Sequence, residues 1–102
     1  MEIRKVTADK TSFLLLLLLA DEEERMIDRY LDRGEMYVLD DGGVKSECVV
    51  TDEGGGVLEI KNLATLPSEQ GKGYASALIE FVAEKYKDRF STLRVGTGES
   101  PA

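Results

Sequence analysis

The sequence predicts an α+β domain, close to a three-layer α/β arrangement, with the order β-α-α-β-β-β-α-β around a mixed sheet. Length and composition carry part of this: 102 residues, 42% of them apolar, suffice for one core but not for two domains. Runs of strand-forming residues punctuated by Asp-Gly and Gly-rich turns carry the rest of the antiparallel part. A strongly periodic helix between two strand-like runs completes a βαβ unit. Such a unit is right-handed, and its two strands run parallel.

Residues 2–7 (EIRKVT) alternate, with Ile3 and Val6 apolar, and read as the first strand. Asp9 is the expected N-cap of a helix through Phe13–Ala20, FLLLLLLA. A membrane-spanning helix needs about 20 apolar residues, and this run has eight. A secretory apolar segment can be as short as about 7. Here Glu2 and Asp9 dilute the upstream positive charge, and Asp21-Glu22-Glu23-Glu24 stands where a cleavage site belongs, so a core helix is preferred. Six consecutive leucines cover every side of that helix. A helix apolar all round is buried on more than one side, which points to a partner chain or to a crudely written core.

Asp21 opens a second helix, with Asp21 and Glu24 at capping-box spacing and Glu22–Glu24 at the positive end of its dipole. A cation site is the other reading, but consecutive helical carboxylates fan outward and do not converge on one ion. Met26, Ile27, Tyr30 and Leu31 form the apolar stripe, and Gly34 is the stop. Met36–Leu39, Val44–Thr51 and Val57–Thr65 read as strands, joined at Asp40–Gly43 and at Glu53–Gly56. In the last of them Leu58 and Ile60 share one parity and Leu63 the other. Either a β-bulge slips the phase or the strand ends near Asn62. A loop at 66–73 precedes a helix from about Lys72 to Asp88, whose Tyr74, Leu78, Val82 and Tyr86 recur every four residues. Leu93 and Val95 mark a last strand over 92–97.

Composition excludes several functions. There is no His, so zinc enzymes, Ser-His-Asp hydrolases and Cys-His proteases are poor readings. Thirteen basic against 20 acidic residues give a net charge of −7, which argues against a nucleic-acid binder. The same charge would attract cationic substrates. The single Cys48 cannot form an internal disulfide, which fits a cytoplasmic protein. With no His to activate it, Cys48 is expected to be a buried structural thiol rather than a nucleophile. Tyr74, Phe81 and Tyr86 are expected in the core.

Anion chemistry concentrates at Gln70-Gly71-Lys72-Gly73, where two glycines precede a helix N-terminus. Glycine permits a tight turn and a close approach to unpaired N–H groups, the helix dipole favours an anion, and Lys72 adds a charge. A glycine pair before a helix is also often only a turn.

Residues 59–79, EIKNLATLPSEQGKGYASALI, resemble the acetyl-CoA-binding segment of the GNAT superfamily of N-acetyltransferases. The family's pyrophosphate signature, Gln/Arg-x-x-Gly-x-Gly/Ala, is met by Gln70-Gly71-Lys72-Gly73-Tyr74-Ala75. The resemblance implies acetyl-CoA as cosubstrate and an amine, small molecule or peptide, as acceptor. It implies that backbone amides from Gln70 through Ala75 wrap the pyrophosphate, and that Leu63, Ala64 and Thr65 pair with the pantetheine arm like an added strand. The family's two central parallel strands splay apart, often beside a bulge. Glu59, eleven positions before Gln70, resembles the catalytic glutamate of the histone-acetyltransferase branch. Among apolar neighbours its pKa would rise toward that of a working base. The plain alternative is a solvated Glu59 paired with Lys61. Tyr37 and Glu47 are further candidates for the substrate side. No metal site is expected.

The resemblance also implies parts that this chain lacks. The sequence closes on Gly98-Glu99-Ser100-Pro101-Ala102, in which Ser-Pro is a helix-start signal. The family continues with a helix and usually two strands, and commonly with a Tyr that protonates the departing thiolate. Residues 1–102 therefore read as a single, truncated GNAT-like domain, a natural fragment or an engineered one. An open last strand and the Leu-rich helix point to a homodimer formed through either. A non-catalytic scaffold without turnover is the alternative to an active enzyme, and an acidic interaction module using the Leu helix is a third. Neither nucleic acid nor membrane is expected as a partner.

Overall fold

A computed structural model describes residues 1–95. The expected strand end at 96–98 and the Ser100-Pro101 helix start lie outside the described residues. The strands are β1 (Glu2–Val6), β2 (Glu35–Asp40), β3 (Val44–Gly54), β4 (Val57–Thr65) and β5 (Thr92–Val95). The helices are α1 (Leu14–Leu17), α2 (Glu24–Leu31) and α3 (Tyr74–Tyr86), and short 3-10 turns occupy Lys10–Phe13 and Pro67–Glu69. The sheet order is β1-β2-β3-β4-β5, antiparallel throughout except for the parallel pair β4–β5. The order and the parallel pair agree with the sequence reading.

Alternation along the strands divides the sheet into two buried faces. Tyr37, Leu39, Cys48, Val50, Leu58 and Ile60 face α3 and pack on Leu78, Val82 and Tyr86. Met36, Val38 and Val49 face the other way and pack on Leu17 of α1 and on Ile27, Tyr30 and Leu31 of α2. Both faces of the sheet are thus covered, giving three layers.

The Leu block behaves differently from the expectation. Its helix is only four residues long, preceded by the 3-10 turn. Leu16 and Leu17 are buried, yet Leu15 is 84% exposed and Leu19 50%. A run with no polar member carries no phase, so it cannot show which side turns inward. Asp9 does not cap with its side chain; it adopts a left-handed backbone, φ 55°. The Asp21–Glu24 capping box is also absent, because α2 starts at Glu24. Asp21 instead accepts bonds from the Glu23 amide (3.3 Å) and the Tyr30 hydroxyl (3.2 Å).

The end of α2 is fixed by long-range contacts. Lys10 Nζ donates to the carbonyl of Leu31 (2.8 Å), which the helix leaves unpaired, and to that of Gly34 just beyond it (2.7 Å). Gly34 is needed for space: a Cβ there would sit 2.9 Å from the Tyr30 carbonyl oxygen, 2.9 Å from Val49 Cγ1 and 3.0 Å from the Val50 carbonyl oxygen. Two of those neighbours are backbone and cannot move aside. Gly34→Ala is therefore expected to lower stability by about 1–3 kcal/mol, read as a reduced urea midpoint at unchanged m-value. An unchanged midpoint would show that α2 and β3 can part without cost.

Candidate functional site

β4 holds the decisive irregularity. Val49 of β3 pairs with Asn62 and Val50 with Ile60, so Lys61 is an extra residue. The strand continues to Thr65, which makes the phase slip a bulge and not a strand end. Because of it, Ile60 and Leu63 both reach the α3 side, while Asn62 points toward α1 and α2. Described pairing with β5 covers Val57–Ile60 only. Among the described residues, Lys61–Thr65 has a partner strand on one side, β3.

At the end of β4 the chain turns through Leu66–Gly73 into α3. Gly71 (φ 83°) and Gly73 (φ 85°) take left-handed backbones, and a Cβ on either would meet nothing within 4 Å. Glycine here serves the turn and leaves open space above it. The Ala77 amide bonds the Gly73 carbonyl at 3.0 Å as α3 begins. The amides ahead of it have no intrahelical acceptor and point outward with the positive end of the dipole. They face a cleft of about 430 Å³. One wall is Gln70, Gly71, Gly73, Tyr74 and Ala75; the other is Leu63 and Thr65 of β4.

Seven of the nine residues expected to hold the cosubstrate thus meet in one cleft. Ala64 turns to the opposite face, 7% exposed, although its backbone runs on between Leu63 and Thr65. Lys72 turns outward and pairs with Glu69 at 2.8 Å. Glu69 also pairs with Lys45 at 3.5 Å, so a second lysine, invisible in the motif, stands at this end of the sheet. The hydroxyl of Tyr74 donates to Asp41 at 2.7 Å, anchoring the start of α3 to the β2–β3 turn.

Glu59 sits on the α1–α2 face and is 6% exposed. It is neither solvated nor alone. The Arg94 guanidinium bonds its Oε1, with Nε at 2.9 Å, and Lys61 Nζ lies 3.1 Å from Oε2. Burial pushes its carboxyl up, but the Arg94 and Lys61 bonds and charges outweigh it and hold the pKa below the usual range. The expected upward shift is therefore corrected: apolar sequence neighbours do not reveal two cations folded across the strands.

Tyr37 lies on the other face, hydrogen-bonded to Tyr86 at 2.6 Å and edge-on to Phe81. Cys48 is fully buried, and burial together with the adjacent Glu47 pushes its thiol pKa up, away from nucleophilic use.

Glu47, a candidate for the substrate side, has surroundings that the sequence did not indicate. It is 0% exposed, and neither carboxyl oxygen has a hydrogen-bond partner among the described residues. Desolvation pushes its pKa up to about 8. Nearby, Asn62 donates through Nδ2 to the Leu17 carbonyl (3.0 Å) and the Tyr30 hydroxyl (2.9 Å), leaving Oδ1 without a donor.

The comparisons with known proteins agree with this geometry. The acetyltransferase (GNAT) domain model matches residues 32–100. The chain belongs to the GNAT acetyltransferase family. An uncharacterized N-acetyltransferase of Bacillus subtilis strain 168, YvbK, is 37% identical over 87 residues, 83% of this chain and 56% of the relative. A crystal structure of a GNAT family acetyltransferase from Elizabethkingia anophelis with acetyl-CoA bound superposes with a TM-score of 0.79 at 31% identity, covering 86% of this chain and 58% of that one. A Bacillus subtilis acetyltransferase in complex with CoA gives 0.76 at 31%, covering 84% and 57%. The chain therefore spans little more than half the length of these relatives. No helix among the described residues is long and apolar enough to cross a membrane.

Glu47 also makes a prediction about stability. Unfolded, it ionises near 4.5; folded, near 8. Between these values the folded chain keeps a proton that the unfolded chain gives up, so stability falls as pH rises through that window. Below it Glu47 is neutral in both states and costs no ionisation; above it the full cost applies. Glu47→Gln is expected to melt higher than the parent at pH 8, with the gap closing toward pH 4.5, as followed by calorimetry. A gap independent of pH would show that Glu47 is charged and partnered.

Proposed function

We propose that this domain binds acetyl-CoA and transfers its acetyl group to an amine. The observation that carries the reading is the cleft between the Gly71–Gly73 turn and Leu63 and Thr65 of β4. Unsatisfied amides in a dipole-favoured position suit a diphosphate. The backbone of Leu63, Ala64 and Thr65 offers strand-type hydrogen bonds to the amide-containing pantetheine arm. The cosubstrates bound in the two structural neighbours above support the same assignment.

Binding energy then comes from the loop and the strand edge, and rate from holding amine and thioester in register. Attack by the amine nitrogen on the thioester carbon forms the amide bond, breaks the C–S bond and releases CoA thiol. The amine must also shed a proton. Glu59 is the proposed acceptor, through a water: it is ionised, and because its pairs with Arg94 and Lys61 hold its pKa low, it acts by orienting that water rather than as a strong base.

Calorimetric titration with acetyl-CoA tests the binding half. The parent is expected to bind saturably, and Gly73→Asp to lose at least about 100-fold, since it adds a negative charge facing the diphosphate at a left-handed backbone position. Absence of heat with the folded parent would end the reading. For the chemical half, Glu59→Gln is expected to lower kcat by about 10²–10⁴-fold with the KM for acetyl-CoA unmoved. Retained kcat would remove Glu59 from catalysis.

We further propose self-association, through the Leu-rich segment or through β5, and a cytoplasmic location. The exposed Leu15 and Leu19 and the 51% exposed Val95 support the first. The unpaired Cys48 supports the second. Leu18 is half-buried against the α1–α2 core and is a poor probe. Leu15→Lys with Leu19→Lys is expected to shift a dimer to monomer by sedimentation velocity; a monomeric parent would refute association.

A further inference from the structure

The unexplained chemistry of this molecule lies on the α1–α2 face of the sheet, one strand away from the cleft. Glu47 of β3 faces Ala64 of β4, and Asn62 faces Val49, so Glu47 and Asn62 are diagonal neighbours on one face. Tyr30 covers the same face, hydrogen-bonded to Asn62 at 2.9 Å. Among the described residues, three buried oxygens stand here without a hydrogen-bond partner: Oε1 and Oε2 of Glu47 and Oδ1 of Asn62. Val38 and Val49 around them are apolar and fully buried, so no side chain of the sheet supplies the missing protons. The cover is the arm joining α1 to α2, tied down by the Leu17 carbonyl on Asn62 (3.0 Å) and by Asp21 on the Tyr30 hydroxyl (3.2 Å).

A buried carboxyl without partners is costly, and an apolar residue of similar volume would pack there more stably. Such costs persist where a ligand repays them. A primary ammonium has three donors and no acceptor, the complement of three acceptors without a donor. A diol or an amide brings acceptors of its own, and a quaternary ammonium brings no donors.

We propose that Glu47, with Asn62 Oδ1, receives the ammonium group of the acceptor, and that this acceptor is a primary amine that arrives protonated. The proposal rests on the acetyl-transfer reading for its place in the reaction: Glu47 lies across from Ala64, in the strand segment assigned to the pantetheine arm. Entry requires the α1–α2 arm to release its two hydrogen bonds. Glu59 remains at the other side of the bulge, where it can take the proton that the amine sheds before attack.

The test titrates the full chain with methylammonium chloride, and with tetramethylammonium chloride at equal ionic strength, watching the Asn62 side-chain amide by NMR. Methylammonium is expected to shift it saturably and tetramethylammonium to leave it unmoved. Glu47→Gln and Glu47→Met, both expected to fold, should weaken the methylammonium response at least about 10-fold, the loss of one charge-assisted bond. If buried waters alone fill the three acceptors, methylammonium gives no saturable shift and the proposal fails. It fails equally if tetramethylammonium acts alike or if both variants respond as the parent does. Acetyl-CoA calorimetry on the same sample separates the two readings. Acetyl-CoA binding without an ammonium response sinks this proposal alone, whereas an ammonium response without acetyl-CoA binding sinks the transfer reading alone.

Discussion

One extra residue in β4 sets what each face of the sheet presents. A strand without Lys61 would send Asn62 toward α3 and Leu63 toward α1 and α2, because side chains alternate strictly. The result would be an amide in the α3 core and a leucine beneath the arm. With the bulge, Leu63 stays on the apolar face and forms a wall of the cleft, and Asn62 gains the Leu17 carbonyl and the Tyr30 hydroxyl. The bulge also separates a well-paired half of β4, tied to β5 at Val57–Ile60, from the half that lines the cleft. The strand edge, the cleft wall and the polar cluster all follow from this single register change.

The loop into α3 depends on a second constraint, the anchoring of its helix. Gly71 and Gly73 give the backbone freedom that would be a liability if α3 were loose. Leu78 and Val82 are fully buried against the sheet, and Tyr74 is tied to Asp41. A rigid helix behind a flexible turn keeps the amides aimed at one point, which lowers the ordering cost when an anion arrives.

Elements with a clear period were legible in the sequence. Helix α3 announced itself through Tyr74, Leu78, Val82 and Tyr86, and all four are buried. The phase change in β4 was legible too, since parity alone reveals it. The Leu block was not, because identical neighbours leave burial to be decided by what the sheet offers. The motif correctly gathered Gln70, Gly71, Gly73, Tyr74 and Ala75, but it could not say that Lys72 would turn to Glu69. Long-range partners stayed hidden for the same reason. Nothing near Lys10 points to the end of α2, and nothing near Glu59 points to Arg94. Glu47 was singled out in SECVV as a candidate for the substrate side, but its burial was not legible there, because strand alternation does not show how a face is covered. Only the second covering layer makes it buried.

Two glutamates on one face have been pushed in opposite directions. Glu59 is held ionised by Arg94 and Lys61, and burial pushes Glu47 toward its neutral form. Chemically equal groups given opposite protonation states by their surroundings can take different parts in one reaction. On the reading advanced above, the division follows from charge. An arriving ammonium is drawn to the carboxyl that has no cation of its own, since Glu59 is already neutralised by two. Its arrival favours the ionised form of Glu47, so the pocket releases a proton as it fills. Glu59, spared from binding, stays available at the bulge for the proton that the amine must lose. A single carboxylate asked to hold the ammonium and to deprotonate it would face conflicting demands, because the stronger the ion pair, the harder the proton is to remove.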